Sequence, residues 1–393
     1  MKINRRNLLK TGLLSLSGMA LAPHLRAGAC GSSPITLDAS GRIFYSPMMR
    51  EHFLDNLPAF QPLIRISANE NPYGPPPLAR EAIKTAMLEG AGSRYSWQEL
   101  GGLVAQIATK EGVSVSNIMM GAGSSDLLER TAYVLCAGGG NVVSADPTYM
   151  SLVRVAEAVG ADWKAIPCKA DWSHDLERME SAIDKNTRLV YVCNPNNPVG
   201  SVSDAAHLME FCRRVSERVP VFVDEAYMDF ANGATRSMVS LLSENKNVII
   251  SRTFSKVMGM AGLRVGYLVG LKPTLDTLQR TSRGGAGITY TSIVAARAAL
   301  DDVDFQKMTI TKNEEAKQYL YGRLKKLNIA YLPSYTNFAL FPIATNGKDF
   351  LAQMAEKGIG IRAFDIQNRP WCRVSIGTMD EIKQFVRALE EVV

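Results

Sequence analysis

Paired cysteines are missing from this 393-residue chain: Cys30, Cys136, Cys168, Cys193, Cys212 and Cys372 show no Cys-x-x-Cys. A structural zinc centre and a readable disulfide framework are therefore set aside. No internal repeat, low-complexity block or long charge run follows residue 30, which excludes solenoids and biased tails. The phosphate-loop pattern Gly-x-x-x-x-Gly-Lys-Ser/Thr does not occur either, which removes the common nucleoside-triphosphatase reading. Acids are absent from residues 1–27, which hold Lys2, Arg5, Arg6, Lys10 and Arg26. Those five belong to 44 basic residues set against 38 acids, so the net charge of +6 sits mostly at the N-terminus. What remains is nearly balanced and carries no polyanion-binding signature.

The acid-free segment reads as a signal peptide over residues 1–29. A charged start precedes a weakly apolar run, Thr11 to Ala22, then Pro23 and the small residues Ala27, Gly28 and Ala29. The run is too short for a confident spanning helix. Asn4-Arg5-Arg6-Asn7-Leu8-Leu9-Lys10 is similar to the twin-arginine export signal. An exported, periplasmic protein that meets the twin-arginine machinery already folded is the expectation. A short N-terminal anchor helix and plain disorder are the other readings, and Cys30 directly after Ala29 leaves lipid anchoring open.

The body is 46% hydrophobic and 21% charged, as in ordinary globular proteins. Residues 30–66 are expected to form an irregular arm, 67–300 a large domain and 301–393 a small one. Apolar runs predict strands at Ile118–Gly121, Asn141–Ala145, Asp162–Ile166, Leu189–Cys193, Val221–Asp224, Val248–Arg252 and Leu263–Val269. Helical periods between them, such as Ser125–Cys136 and Ala205–Arg218, imply an α/β fold with a mostly parallel, doubly wound sheet. A long helix near 304–327, strands near Asn337–Phe341, Gly360–Arg362 and Arg373–Ile376, and a closing helix at Asp380–Val392 suggest a smaller α+β unit.

Ligands of such sheets gather where strands end and helices begin. Gly121-Ala122-Gly123-Ser124-Ser125-Asp126 joins a strand to a helix whose free N–H groups suit an anion. Asp126 stands where a dinucleotide fingerprint needs its third glycine, which disfavours a dehydrogenase. Later strands end in Asn194-Pro195-Asn196-Asn197-Pro198 and in Asp224-Glu225-Ala226-Tyr227. Taken singly, these are a polar turn and a helix cap or ion-pair partner. Ser255-Lys256 lies among hydroxyls and glycines with apolar sequence on both sides. Burial there would lower the lysine pKa, as a reactive amine requires.

In this order the elements resemble the fold-type I, pyridoxal 5′-phosphate (PLP)-dependent class I/II aminotransferases, and most closely the histidinol-phosphate aminotransferase branch. The resemblance runs from about Ile66 to the C-terminus. It takes in Ala68-Asn69-Glu70-Asn71-Pro72-Tyr73-Gly74, Arg94-Tyr95, Asp146-Pro147-Thr148-Tyr149, Arg264 and Arg373-Val374-Ser375-Ile376-Gly377-Thr378. It implies PLP held as a Schiff base on Lys256, which also carries the proton at the substrate's Cα. Asp224 would pair with the pyridine nitrogen, Asn197 and Tyr227 with the phenolic oxygen, and Tyr149 would stack on the ring. Ser124, Ser125, Thr253, Ser255 and Arg264 would hold the phosphate. Tyr95 would reach the phosphate of a partner subunit, making a homodimer part of the site. Arg373 and Arg362 would bind substrate anions, with Asn71 and Tyr73 lining the entrance.

Two features depart from that branch. Arg283-Gly284-Gly285-Ala286-Gly287-Ile288-Thr289-Tyr290-Thr291 replaces a Pro-Phe/Tyr-Asn-Val-Asn-like stretch, and histidine synthesis is cytoplasmic whereas an export signal is read here. The expectation is therefore transfer of an amino group from an amino acid or related anionic amine to a 2-oxo acid, with the substrate unnamed. A PLP-dependent decarboxylase or oxidase on the same fold, and a non-catalytic secreted binding protein, are the alternatives.

Overall fold

A computed structural model describes residues 36–37, 42–53 and 64–393, except residue 283. The signal peptide expected at 1–29 and the cysteine at position 30 lie outside them. Among the described residues no helix is long and apolar enough to cross a membrane.

A seven-stranded sheet forms the centre. Its order is 118–121, 266–270, 248–253, 221–224, 187–193, 141–146 and 162–167. Neighbours pair in parallel except Gly266–Gly270, which runs antiparallel to both of its partners. All seven expected strands are present, the last beginning at Gly266 rather than Leu263.

The near-continuous apolar runs follow from burial on both faces. Alternate residues point to opposite sides: Val190, Val192, Val221 and Val223 pack with Leu208 and Phe211 of the helix Ala205–Val215. Leu189, Tyr191 and Phe222 pack with Leu127 and Leu128 of the helix Ser124–Cys136 and with Leu152 and Val153 of Ser151–Ala158.

A second, antiparallel sheet has the order 36–37, 43–44, 49–52, 362–366, 369–375 and 338–342. Residues 30–66, expected to be irregular, thus supply three strands to it, and Ile64–Arg65 pairs in parallel with Ile359–Gly360. The register Ala363↔His52 and Phe364↔Glu51 joins the strand 49–52 to the C-terminal strands. Met49, Phe364 and Trp371 then pack in the same apolar cluster as Tyr191 and Phe222. The helix Val303–Lys326 and the closing helix Met379–Val392 cover the other face with Leu320, Phe385 and Leu389. Thr378 and Glu381 cap the closing helix reciprocally.

The loop after Lys256 returns against the residue 69–74 segment. Gly259 has φ +63°, and a Cβ there would sit 2.0 Å from the Gly74 carbonyl oxygen. Backbone cannot yield as a side chain can, so only glycine permits this approach. Gly259→Ala is expected to lower stability by about 2 kcal/mol or more, read from urea unfolding. An unchanged midpoint would mean that the two loops do not need this contact.

Candidate active site

The parallel strands deliver their C-terminal ends to one cavity of about 820 Å³, within the range of small-molecule sites. Asp224 closes the strand Val221–Asp224, Asn197 follows Thr187–Cys193, Tyr149 follows Asn141–Asp146, and Thr253, Ser255 and Lys256 follow Val248–Thr253. Ser124 and Ser125 open the helix after Ile118–Gly121. All of these line the cavity, as do Tyr227, Arg264, Arg362 and Arg373. Twelve of the expected site residues thus converge on it.

Lys256 donates a hydrogen bond from Nζ to the Asn69 carbonyl oxygen at 3.0 Å. Burial, and then the charge of Arg373, lower its pKa from 10.5 to about 8, against the opposing pull of Asp224 and Glu70. Asp224 is buried, and desolvation raises its carboxyl to about 7 although the Ala226 N–H and Lys256 stabilise the anion. Tyr227 receives hydrogen bonds at its hydroxyl from the Asn69 amide at 3.0 Å and the Asn197 amide at 3.4 Å. Burial pushes that phenol up as well.

Arg373 is buried and donates to Asn197 Oδ1 at 2.7 Å and to the Ser67 carbonyl at 3.0 Å. Its Nε has no hydrogen-bond partner among the described residues, and desolvation lowers its pKa to about 10. Arg362 is ion-paired with Glu51 at 3.3 Å. Near the other end, Gly123 precedes Ser124 at φ +91°, and a Cβ there would lie 2.3 Å from Arg264 Nη2. Among the described residues the helix Ser124–Cys136 has no side-chain cap. Its free N–H groups and the Arg264 guanidinium therefore form an anion cradle around a residue that must be glycine.

Asn71, expected at the substrate entrance, does not line this cavity. Its amide donates to the Val257 carbonyl at 2.8 Å and the Thr309 hydroxyl at 3.3 Å, bracing the Lys256 loop from behind. Tyr73 shares a separate small pocket with Asn71, Phe230 and Gly377. Tyr95 also lies off the cavity, exposed and stacked on Trp97 with ring centroids 5.8 Å apart. It borders a pocket with the glycine-rich Gly285–Ala286 stretch.

Asn69 lines the cavity with no role expected from the sequence. It adopts φ +54°, a left-handed conformation asparagine tolerates better than most side chains. Its carbonyl accepts from Lys256 and from Asn337, its amide reaches Tyr227, and its N–H and Oδ1 both engage Ser375. Tyr45, Met49, Arg154 and Phe364 are further cavity residues not expected from the sequence.

Residues 61–389 match the family described as aminotransferase class I and II. The chain belongs to this family. Among similar proteins, this aminotransferase is 36% identical over 337 residues to the histidinol-phosphate aminotransferase of Moorella thermoacetica, covering 84% of this chain and 85% of that one. It is 33% identical to the enzyme of the same name from Akkermansia muciniphila, covering 84% and 90%. The structure of histidinol-phosphate aminotransferase from Sinorhizobium meliloti in complex with pyridoxal-5′-phosphate superposes with a TM-score of 0.78 at 30% identity, covering 84% of this aminotransferase and 90% of that chain. These findings establish the fold-type I α/β architecture expected from the motifs.

The lowered amine gives a pH signature. In ligand-free protein, Lys256→Met is expected to be more stable than the parent at pH 7 by on the order of 2 kcal/mol. The gap should close between about pH 8 and 10.5, where the unfolded parent still binds a proton that the folded amine has released. Urea midpoints measured across that window check it; a gap independent of pH would mean the folded amine titrates normally.

Proposed function

We propose that this aminotransferase moves the amino group of an amine bearing an anionic group to a 2-oxo acid. It is a PLP-dependent transaminase, and the observation that carries the reading is a depressed lysine amine and a raised carboxyl sharing one cavity. The residues fit the cofactor. An uncapped helix N-terminus with the Arg264 guanidinium against Gly123 suits the phosphate, and Asp224 suits the ring nitrogen.

The chemistry that PLP supplies when bound is that of an amine-reactive aldehyde joined to an electron-withdrawing ring. Ser124, Ser125, Thr253, Ser255 and Arg264 would hold its phosphate, and Tyr149 would face its ring. Asp224 would keep the ring nitrogen protonated, while Asn197 and Tyr227 would hydrogen-bond the phenolic oxygen. Lys256 is the amine through which the cofactor would be held. Burial lets it shed a proton near neutral pH, so it can take one from the donor's Cα and return it. Arg373, fixed by Asn197 and the Ser67 carbonyl, would orient the donor's anion. Histidinol phosphate, which names the relatives, is one such donor.

A homodimer in which Tyr95 serves the neighbouring site is consistent with its exposed position outside its own cavity. The Arg5-Arg6 segment supports export to the periplasm through the twin-arginine machinery. Replacing both arginines with lysine is expected to retain the protein in the cytoplasm, and fractionation showing continued export would remove that part of the reading.

Borohydride reduction of PLP-loaded protein, followed by peptide mapping, is expected to find the label on Lys256, and none in Lys256→Ala. A panel of amines with 2-oxoglutarate should yield glutamate. Carbon dioxide or peroxide release without glutamate would instead assign a decarboxylase or an oxidase.

A further inference from the structure

We propose that Arg252, on the face of the central sheet turned away from the cavity, is a positioning residue that keeps Asp224 ionised by neutralising Glu225, the carboxylate next to it in the chain. The inference rests on the transaminase reading of the cavity and adds to it a group that touches neither cofactor nor substrate.

Successive residues of a strand point to opposite faces. Asp224 lines the cavity, so Glu225 points to the other face, where Val223, Ile250 and Tyr267 pack. Arg252 follows Ser251, the register partner of Asp224, and points to that same far face. Its Nη2 lies 3.1 Å from Glu225 Oε2 and 3.6 Å from Glu111 Oε2. The Glu225 side chain is wholly buried, while those of Glu111 and Arg252 are 8% and 16% exposed. Glu225 Oε1 also accepts the Met238 N–H at 2.8 Å, and the Tyr267 hydroxyl donates to Glu111 Oε1 at 2.7 Å. Two carboxylates therefore share one guanidinium, on which Asp229 also acts.

Buried carboxylates are retained when a cation compensates them. Burial raises the Glu225 carboxyl, and Arg252 is the first of the groups that oppose the rise. Burial raises Asp224 too; the Ala226 N–H and Lys256 pull it down, and Glu225 pushes it further up. With the ion pair intact, the opposite charges of Arg252 and Glu225 largely cancel at Asp224. Without Arg252, an uncompensated negative charge would stand one residue from Asp224 and favour its protonated form. A neutral Asp224 would no longer attract the proton of the cofactor's ring nitrogen, so the electron-withdrawing power of that ring depends on a cation behind the sheet.

The test follows the Asp224 carboxyl by carbon-13 NMR in ligand-free protein, with its resonance identified by its loss in Asp224→Asn. The parent midpoint is expected at about 7. Arg252→Met should raise it by about one pH unit, and Glu225→Gln should lower it by about as much. Arg252→Lys, and the double variant Arg252→Met/Glu225→Gln, should both titrate within about 0.3 of the parent. In PLP-loaded protein, kcat should fall about tenfold or more in Arg252→Met, with KM changed less than about twofold, and recover in the double variant. A mere brace between strands predicts shifts of one sign in both single variants and the largest defect in the double; that result, or an unmoved midpoint, would overturn the proposal. Should Arg252→Met fail to fold, Glu225→Gln decides: a lowered midpoint supports the charge pair and a constant one removes it. Opposite shifts in a protein that does not transaminate would leave the charge pair standing and remove the transaminase reading.

Discussion

The hydrogen bond from the Lys256 amine to the Asn69 carbonyl is the contact on which the arrangement of the site depends. It joins a loop after the central sheet to a segment that precedes the first long helix. Asn69 in turn is held by Ser375 and Asn337, from the second sheet and the loop before it. Three parts of the chain therefore fix one amine. That amine donates to a neutral backbone oxygen, and among the described residues no ion pair secures its charge. Desolvation then wins over the attraction of Asp224 and Glu70. The same dryness raises Asp224, so a lowered amine and a raised carboxyl face one space.

Charge in that space is lopsided. Lys256, Arg264, Arg362, Arg373 and Arg154 line it, against Asp224, Glu70 and Glu129. The cations also divide by position. Arg264 lies at the uncapped helix end, while Arg373, Arg362 and Arg154 surround Tyr45 and Phe364. A cofactor phosphate and a substrate anion can thus be held by separate sets of residues.

Legibility in the sequence followed burial. Strands such as Val221–Asp224 are apolar runs that stop on a polar residue, and burial on both faces writes that pattern locally. The residues at their ends converge as expected because the topology sends every parallel strand to the same edge. The strands at 43–44 and 49–52 left no such mark: they are short, and the pairing of 49–52 with 362–366, which seats both, is decided over more than three hundred positions. Asn71 lies off the cavity for a related reason. Its neighbours Asn69 and Glu70 line the cavity, but the chain turns at Pro72–Gly74 and aims Asn71 at the back of the Lys256 loop. Arg154 sits at a helical position where an exposed arginine would read identically; its burial against Tyr45 is not legible from the sequence.

The pairing of Met49–His52 with Arg362–Ile366 has a bearing on biosynthesis. Tyr45 and Met49 leave the ribosome early, yet the strand that seats them is among the last made; Arg42 and its partner Asp365 lie 323 positions apart. The central sheet is complete in the chain at Gly270, well before the strands that carry Arg362 and Arg373 are made. A chain stopped short of those strands would keep Lys256 but lack both arginines and the strand that seats Tyr45 and Met49.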